Sequence, residues 1–210
     1  MANNRNDLAA LFSRFPITAR EDVPAVAEGI PSTLRDLVGA VGGVTVAEGF
    51  YRFHTAISAA RSSAACSKLI EGFDGRYYAF AFDWLGRELA TQITAGVEDG
   101  LVIMVDPAAA EYLKSDLPLS AWHDCVASDE DPLAYDYYQS WRAANPHHGP
   151  LSLDQAVGYR IPLFLGGEDD TSNLDVYPRD VYFEICTQLA LKTRSLPTGT
   201  TISQIVISDR

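Results

Sequence analysis

The sequence predicts a single α+β domain, with a mainly antiparallel or mixed sheet flanked by helices and a short helical preface. Short hydrophobic strands follow one another with tight turns between residues 76 and 105. Amphipathic helical patterns lie on both sides of that region. Hydrophobic residues make up 47% of the 210 residues, enough to form a core without disulfides. The three cysteines are odd in number and far apart, so we expect reduced thiols in a cytoplasmic protein.

The N-terminal part contains two helical patterns. Residues 7–15 carry apolar side chains at helical spacing, and residues 17–31 are typical of a linker. A second helix begins near Pro31, buries Leu34, Leu37, Val38 and Val41, and ends at Gly42-Gly43. We therefore assign residues 1–29 to a helix and linker, and residues 30–210 to the domain.

The central strands are the most legible part of the chain. Residues 44–54 predict a strand pair bent around Glu48-Gly49, and the alanine-rich residues 55–71 predict a helix. Residues 76–82 alternate aromatic and small side chains, as a strand does. Residues 83–87 form a turn in which Gly86 can take a positive φ, and residues 88–93 return as the partner strand. Residues 101–105 predict a short buried strand.

The second half mixes helices and strands. Residues 108–145 are expected to be helical and acidic, with a break at 145–150 and a brief helix at 153–157. Residues 159–167 predict a strand ending in a glycine turn, and 174–177 another strand. The last helix begins with Pro178 as its first residue. Its buried face is expected to comprise Val181, Tyr182, Ile185, Cys186 and Leu189.

The charge is concentrated in one segment. The chain has 16 basic and 28 acidic residues, a net charge of −12, and residues 98–137 contain ten of the acids but only one base, Lys114. This distribution argues against nucleic-acid binding and against an anionic membrane surface, since both need a basic footprint. It permits a basic protein partner, although a solvated acidic face is the simpler alternative. No apolar run approaches the ~20 residues of a membrane span, and no signal peptide is evident.

Two histidine-containing patterns are candidates for a catalytic or a metal site. His123 and Cys125 are two residues apart, a spacing that points side chains away from each other on a helix. His147-His148 stands in a proline- and glycine-rich loop without the other ligands that a metal requires.

Residues 168–170, three consecutive carboxylates, are the remaining candidate for chemistry. Grouped carboxylates can hold Mg²⁺ or Ca²⁺, but a calcium loop read from Asp169 has Leu174 where a glycine is required. A tight turn in which one acid accepts backbone N–H bonds explains them more simply. We therefore predict no metal, no cofactor and no catalytic residue.

Two stretches carry a family resemblance. One is FDWLGR at residues 82–87; the other is VGYRIPLFLGG at 157–167, extended by Asp169, Asn173-Leu174, Val181-Tyr182, Gln188-Leu189 and residues 196–200. Together they resemble the Tdi-type immunity proteins, the cognate inhibitors of type VI secretion DNase effectors. Residues 30–53 look like the GAD-like preface of that family, and a more distant similarity to the SMI/KNR-type immunity superfamily exists. We place the GAD-like portion at about 30–97 and the Tdi-type portion at about 138–206.

The resemblance implies a non-enzymatic α+β domain that protects its own cell by binding a toxin of a contact-dependent or type VI secretion system. A DNase needs a basic cleft, which an acidic segment can imitate. The residues that carry the resemblance are mostly apolar or lie in turns, so we expect them to define the fold: Asp83, Trp84, Gly86, Arg87, Tyr159, Pro162, Gly166 and Gly167.

Three sets of residues are candidates for the toxin contact. The acidic set is Glu98, Asp99, Asp116, Asp129, Glu130, Asp131 and Asp136. The aromatic set, which core packing explains equally well, is Trp122, Tyr137, Tyr138 and Trp141. The third set is Glu168, Asp169 and Asp170. Two other hypotheses stay open: a regulatory or scaffold module of the SMI/KNR type with an endogenous partner, and an enzyme with a metal at the 168–170 turn.

Overall fold

The computed structural model describes residues 8–22, 29–97, 99–197 and 199–200. Within them lie six α-helices and nine strands, which confirms the predicted α+β class. The strands of the larger sheet are β1 (Ile17–Arg20), β2 (Val44–Val46), β3 (Tyr51–Phe53), β4 (Tyr77–Asp83), β5 (Glu88–Gln92), β6 (Leu101–Asp106) and β7 (Glu111–Pro118). The smaller sheet pairs β8 (Gln155–Tyr159) with β9 (Leu174–Pro178). The helices are α1 (Ala9–Arg14), α2 (Ser32–Val41), α3 (Ala56–Leu69), α4 (Leu119–Val126), α5 (Tyr135–Ala144) and α6 (Arg179–Thr193).

The seven-stranded sheet follows chain order from β1 to β7, and every neighbouring pair is antiparallel. Successive side chains of a strand point to opposite faces of the sheet, so neighbouring residues enter different cores. Leu89 belongs to the larger core, built with α1, α2, α4 and α5, whereas Ala90 belongs to a smaller core with α3 and α6. The sheet is therefore covered by helices on both faces.

Several local predictions are confirmed. Helix α2 buries the four predicted side chains and ends before Gly42. The bend at Glu48-Gly49 separates β2 from β3, and Glu48 adopts a positive φ of 57°. Helix α3 begins at a capping box in which the hydroxyl of Thr55 accepts the Ser58 N–H. None of the described helices is both long and apolar enough to cross a membrane.

The linker expected over residues 17–31 is corrected at its start. Ile17–Arg20 form β1, whose four side chains are all exposed and which pairs with β2 around an irregularity at Thr18. An edge strand with exposed side chains carries no hydrophobic alternation, so periodicity cannot reveal it. Residues 23–28 of the expected linker lie outside the described residues.

Two further segments expected to be helical are strands. Glu111–Pro118 forms β7 and splits the predicted acidic helical region, leaving α4 and α5 as its helices. Residues 155–159 form β8 instead of a helix, because they pair with β9 beneath α6. The strand expected over 159–167 consequently ends at Tyr159, and residues 163–165 form one 3₁₀ turn.

The buried face of α6 differs from the predicted one. Val181 and Ile185 are exposed, whereas Arg179, Phe183, Thr187 and Ala190 are buried alongside Tyr182 and Cys186. Pro178 precedes the helix as its N-cap and is not its first residue. The buried face is rotated relative to the predicted one because the guanidinium of Arg179 forms an ion pair with a buried carboxylate on the sheet.

Candidate functional site

The acidic segment at residues 98–137 begins in the connection between β5 and β6 and runs through β6, β7 and α4 to the start of α5. Among its predicted contact residues, Asp116, Glu130 and Asp136 are exposed, and within the described part of the chain they form no ion pair. Their charges are therefore available to a partner. Glu98 lies outside the described residues.

The other predicted acids also serve the fold locally. Asp99 accepts the Ser120 N–H (3.0 Å) at the start of α4, and Asp131 accepts the Tyr135 N–H (2.5 Å) at the start of α5. Carboxylates are favourable at these positions because the N-terminal N–H groups of a helix lack partners. Asp129 forms an ion pair with Arg14 of α1 (3.0 Å). Replacing any of these three would alter local structure as well as surface charge.

The carboxylates at 168–170 form a tight turn. Asp169 accepts the hydroxyl hydrogen of Tyr159 (2.5 Å), and Asp170 accepts both the N–H (2.7 Å) and the hydroxyl of Ser172. The bonds from Ser172 lower the pKa of Asp170. The Asp169 and Asp170 side chains are already engaged in the turn, and no group of three or more potential metal ligands occurs among the described residues.

Tyr137 connects this turn with α5. Burial, and then the charges of Asp169 and Asp170, raise the pKa of Tyr137 to about 12. A negative charge disfavours the ionised form of a tyrosine only over short distances, so the acidic turn lies near Tyr137 of α5. The structure thus brings together two candidate sets that are some 30 residues apart in sequence.

The aromatic set does not lie at a surface. Trp122, Tyr138 and Trp141 are 3%, 1% and 0% exposed, and Tyr138 packs against Trp84 with 5.3 Å between ring centroids. Tyr137 is half-buried, and its ring lies against Trp84 at 5.4 Å. These rings pack α4 and α5 onto the core, which favours the core-packing alternative, and their role as toxin anchors stays a prediction.

The first family motif builds the β4–β5 turn. Asp83 accepts the N–H groups of Leu85 and Arg87 (both 3.0 Å), and the Arg87 Nε donates back to its carboxylate (2.6 Å). Gly86 has a φ of +72°, which glycine adopts without strain. Trp84 Nε1 and Arg87 Nη2 both donate to the carbonyl of Leu133 (3.2 Å each). The turn therefore holds the acidic connection between α4 and α5.

The second motif joins β8 to α6. Gly158 leaves no room for a Cβ, which would lie 2.4 Å from the Tyr182 ring. The hydroxyl of Tyr182 accepts the Tyr159 N–H (3.1 Å). Gly167 is similarly enclosed, since a Cβ there would lie 1.9 Å from the Ile161 carbonyl oxygen. Buried Pro162 precedes the 3₁₀ turn, and Gly166 ends it with a φ of +86°.

A buried cluster of charged residues between the sheet and the α3–α6 layer was missed by sequence reasoning. Glu88 accepts hydrogen bonds from Arg179 Nη1 (2.6 Å), His54 Nε2 (2.7 Å) and Ser62 Oγ (3.1 Å). Burial by itself raises the pKa of Glu88, but the surrounding positive charge and these donors lower it below its ordinary value. Burial lowers the pKa of His54, and the neighbouring Glu88 carboxylate acts in the opposite direction.

Arg52 extends the cluster toward the smaller sheet. It donates to backbone carbonyls of Asp83 (2.7 Å), Ser152 (2.8 Å) and Gln155, the first residue of β8. Its guanidinium lies over the ring of Phe82 at 4.4 Å, and the guanidinium of Arg179 lies over the same ring at 4.4 Å. Burial and the charge of Arg179 lower the pKa of Arg52 to about 9. The cluster thus ties β3, β5, β8 and α6 together.

This cluster is the most enzyme-like feature of the described residues, yet most of its polar atoms already have internal partners, Arg52 Nε and Arg179 Nε being exceptions. Glu88 and Arg179 lie at the base of a cleft of about 270 Å³ between α3 and α6. The Glu88 carboxylate already accepts three hydrogen bonds, which leaves it poorly suited to act as a general base. The ion pairs Arg61–Asp180 (3.0 Å) and Lys68–Glu184 (3.2 Å) occupy the charged groups at the mouth. The arrangement is that of a structural junction.

The side chains of the two histidine-containing patterns also have contacts within the fold. His123 is buried, its Nε2 lies 3.1 Å from the Tyr51 hydroxyl, and burial lowers its pKa to about 3. Cys125 Sγ contacts the Glu130 carboxylate instead (3.4 Å), and burial raises its pKa. His148 stacks on Trp141 with centroids 5.8 Å apart. No cysteine–histidine pair of the nucleophilic kind is formed here.

The chain is similar to solved structures and to one protein family. The crystal structure of Atu4351 from Agrobacterium tumefaciens is similar, with a TM-score of 0.57 and 15% identity over 90% of this chain and 89% of that chain. At that identity the similarity shows a shared fold. No curated protein matches the chain. Residues 122–190, from α4 into α6, match the family described as T6SS immunity protein Tdi1, C-terminal. The resemblance to the Tdi-type immunity family is therefore confirmed, and residues 122–190 carry it.

Proposed function

We propose that this chain is a non-enzymatic immunity protein that binds and neutralises a cognate nuclease effector of a type VI secretion system in the cytoplasm. The observation that carries the proposal is the match of residues 122–190 to the Tdi1 C-terminal family. The occupied hydrogen bonds of Glu88 and of the 168–170 turn support a role without catalysis.

The proposed mechanism is occlusion of the basic cleft of the effector by an acidic surface. A nuclease cleft binds phosphates, and carboxylates presented at similar spacing compete for the same Lys and Arg side chains. The supporting observation is that Asp116, Glu130 and Asp136 are exposed and, among the described residues, have no ion-pair partner. The turn at 168–170 adds charge beside α5 through its proximity to Tyr137.

Protection of a sensitive cell is the direct test. A candidate nuclease effector from the same genome is expressed in a bacterial host, alone and together with the chain, and survival and chromosome integrity are measured. The proposal predicts that co-expression restores growth and that equimolar purified chain abolishes DNA cleavage. An effector that kills and cleaves equally well with the chain present contradicts the proposal and favours a regulatory module with an endogenous partner.

A further inference from the structure

Strand β7 is an open edge of the seven-stranded sheet. Within the described residues it pairs with β6 on one side and with no strand on the other. Glu111 to Lys114 are exposed on both faces, including Tyr112 (38%) and Leu113 (49%). The register becomes irregular after Lys114, and Pro118 ends the strand. An exposed edge is a template for pairing with another chain, and residues 111–114 are its regular part.

The outward-facing backbone groups of this edge can be identified. Leu119 N–H donates to the carbonyl of Gly100 (2.9 Å), so Gly100 faces β7. Backbone groups of an antiparallel strand alternate in direction, so Met104 and Asp106 also face β7. Their partners are Leu113 and Glu111. The intervening Tyr112 and Lys114 therefore direct their N–H and C=O groups away from the sheet.

The charge around β7 indicates what kind of segment fits the edge. Exposed Glu111 and Asp116 lie on the strand, and exposed Asp124 lies on α4, which packs against it. Lys114 is the one basic residue of the whole 98–137 segment. The opposite edge, β1, carries Arg20, which is followed by exposed Glu21 and Asp22. The acids around β7 therefore attract a basic segment to that edge.

We propose that an extended basic segment of the effector adds to residues 111–114 of β7 as an eighth strand of the sheet. This inference rests on the proposed function. The main-chain groups of Tyr112 and Lys114 supply the hydrogen bonds, while Tyr112 and Leu113 supply apolar contact on the two faces. Acidic side chains around the edge then favour Lys and Arg on the added strand.

A pair of substitutions at one position separates main-chain from side-chain effects. Lys114→Pro removes the outward N–H without removing a bond to β6, and Lys114→Ala removes the same side chain while keeping the N–H. The expected result is that the alanine variant binds the effector as tightly as the wild type or more tightly, and that the proline variant binds about tenfold more weakly. Equal affinity of the two folded variants overturns strand addition.

Amide hydrogen exchange of the wild type decides the question if the proline variant does not fold. Addition of a strand protects the amides of Tyr112 and Lys114 upon complex formation, while those of β1 exchange as before. A complex that leaves both amides unprotected overturns strand addition but leaves effector binding intact. Failure of the wild type to bind the effector overturns the proposed function, and this inference with it.

Discussion

Two groups of charged residues in this molecule contrast in almost every respect. The buried cluster of Glu88, Arg179, His54 and Arg52 joins four elements, and most of its polar atoms have internal partners. The exposed acids Asp116, Glu130 and Asp136 have no ion pair among the described residues. Paired charges in the interior hold elements in place, whereas unpaired charges on the surface are free to attract a partner. The buried charges therefore stabilise the fold, and the exposed ones are those that we propose for partner binding.

Removing one charge of the buried cluster is the largest expected effect. Glu88→Gln keeps the size of the side chain but leaves buried Arg179 with only the half-exposed carboxylate of Asp180 (2.8 Å) as its anion, which lowers the free energy of unfolding by about 3 kcal/mol. Urea denaturation measures this change. Glu88→Gln combined with Arg179→Met removes the uncompensated charge and recovers part of the loss. A loss below about 1 kcal/mol in the single variant would mean that the cluster does not hold the fold.

Acid titration gives the next largest effect. Burial lowers the pKa of His123 to about 3, so the folded protein binds fewer protons than the unfolded chain below pH 6.5. Stability is therefore constant at higher pH and falls as pH drops, by about 2 kcal/mol for His123 between pH 6.5 and 5. The lowered pKa of His54 acts in the same direction. Denaturation at several pH values measures the slope of the free energy of unfolding against pH. The variant His123→Gln is expected to lower this slope by the equivalent of about one bound proton.

A closely packed glycine and an exposed glycine are also expected to differ in how far they tolerate a larger side chain. Gly158→Ala places a Cβ 2.4 Å from the Tyr182 ring and is expected to cost about 1–3 kcal/mol of stability. Gly149→Ala is the matched control, because no atom lies within 4 Å of a Cβ there. Thermal unfolding of both variants measures the difference. Equal melting temperatures would contradict the close packing of β8 against α6.

Neutralising the exposed acids is expected to have the smallest effect on stability. Asp116→Asn, Glu130→Gln and Asp136→Asn together change no ion pair among the described residues, so the free energy of unfolding changes by about 0.5 kcal/mol per site or less. Urea denaturation of this triple variant and of Glu88→Gln under the same conditions compares the two losses of stability. A large loss would show that these carboxylates are structural, like the buried ones.

The sequence predicted those helices and strands whose burial shows in the spacing of their own apolar residues. Alternation in residues 76–93 and helical spacing at Leu34, Leu37, Val38 and Val41 reported directly on burial, and these elements are confirmed. The exposed strands β1 and β7 could not be found in this way, since both of their faces meet solvent. Residues 155–159 are strand because of pairing with β9, a contact that no local pattern contains.

The candidate site was predictable only in part. The acidic segment is visible in composition, but which acids are already engaged in caps or ion pairs depends on partners such as Arg14 and Ser120. The buried cluster joins residues 52, 54, 88 and 179, which no motif connects. The sequence could not show whether the aromatic rings of α4 and α5 lie in the core or at an interface. Their packing against Trp84 favours the core. The domain boundary placed at residue 29 stays a prediction.

The most direct test of the account is the association rate constant for the effector as a function of ionic strength. The wild type is compared with Asp116→Asn/Glu130→Gln/Asp136→Asn. The matched control is Asp36→Asn/Glu71→Gln/Asp74→Asn, which removes the same charge at exposed sites outside the acidic segment. We expect the first triple variant to associate about tenfold more slowly at low salt with a flatter salt dependence, and the control to behave like the wild type. Identical rates and salt slopes for all three proteins would contradict a toxin-binding role for the acidic surface.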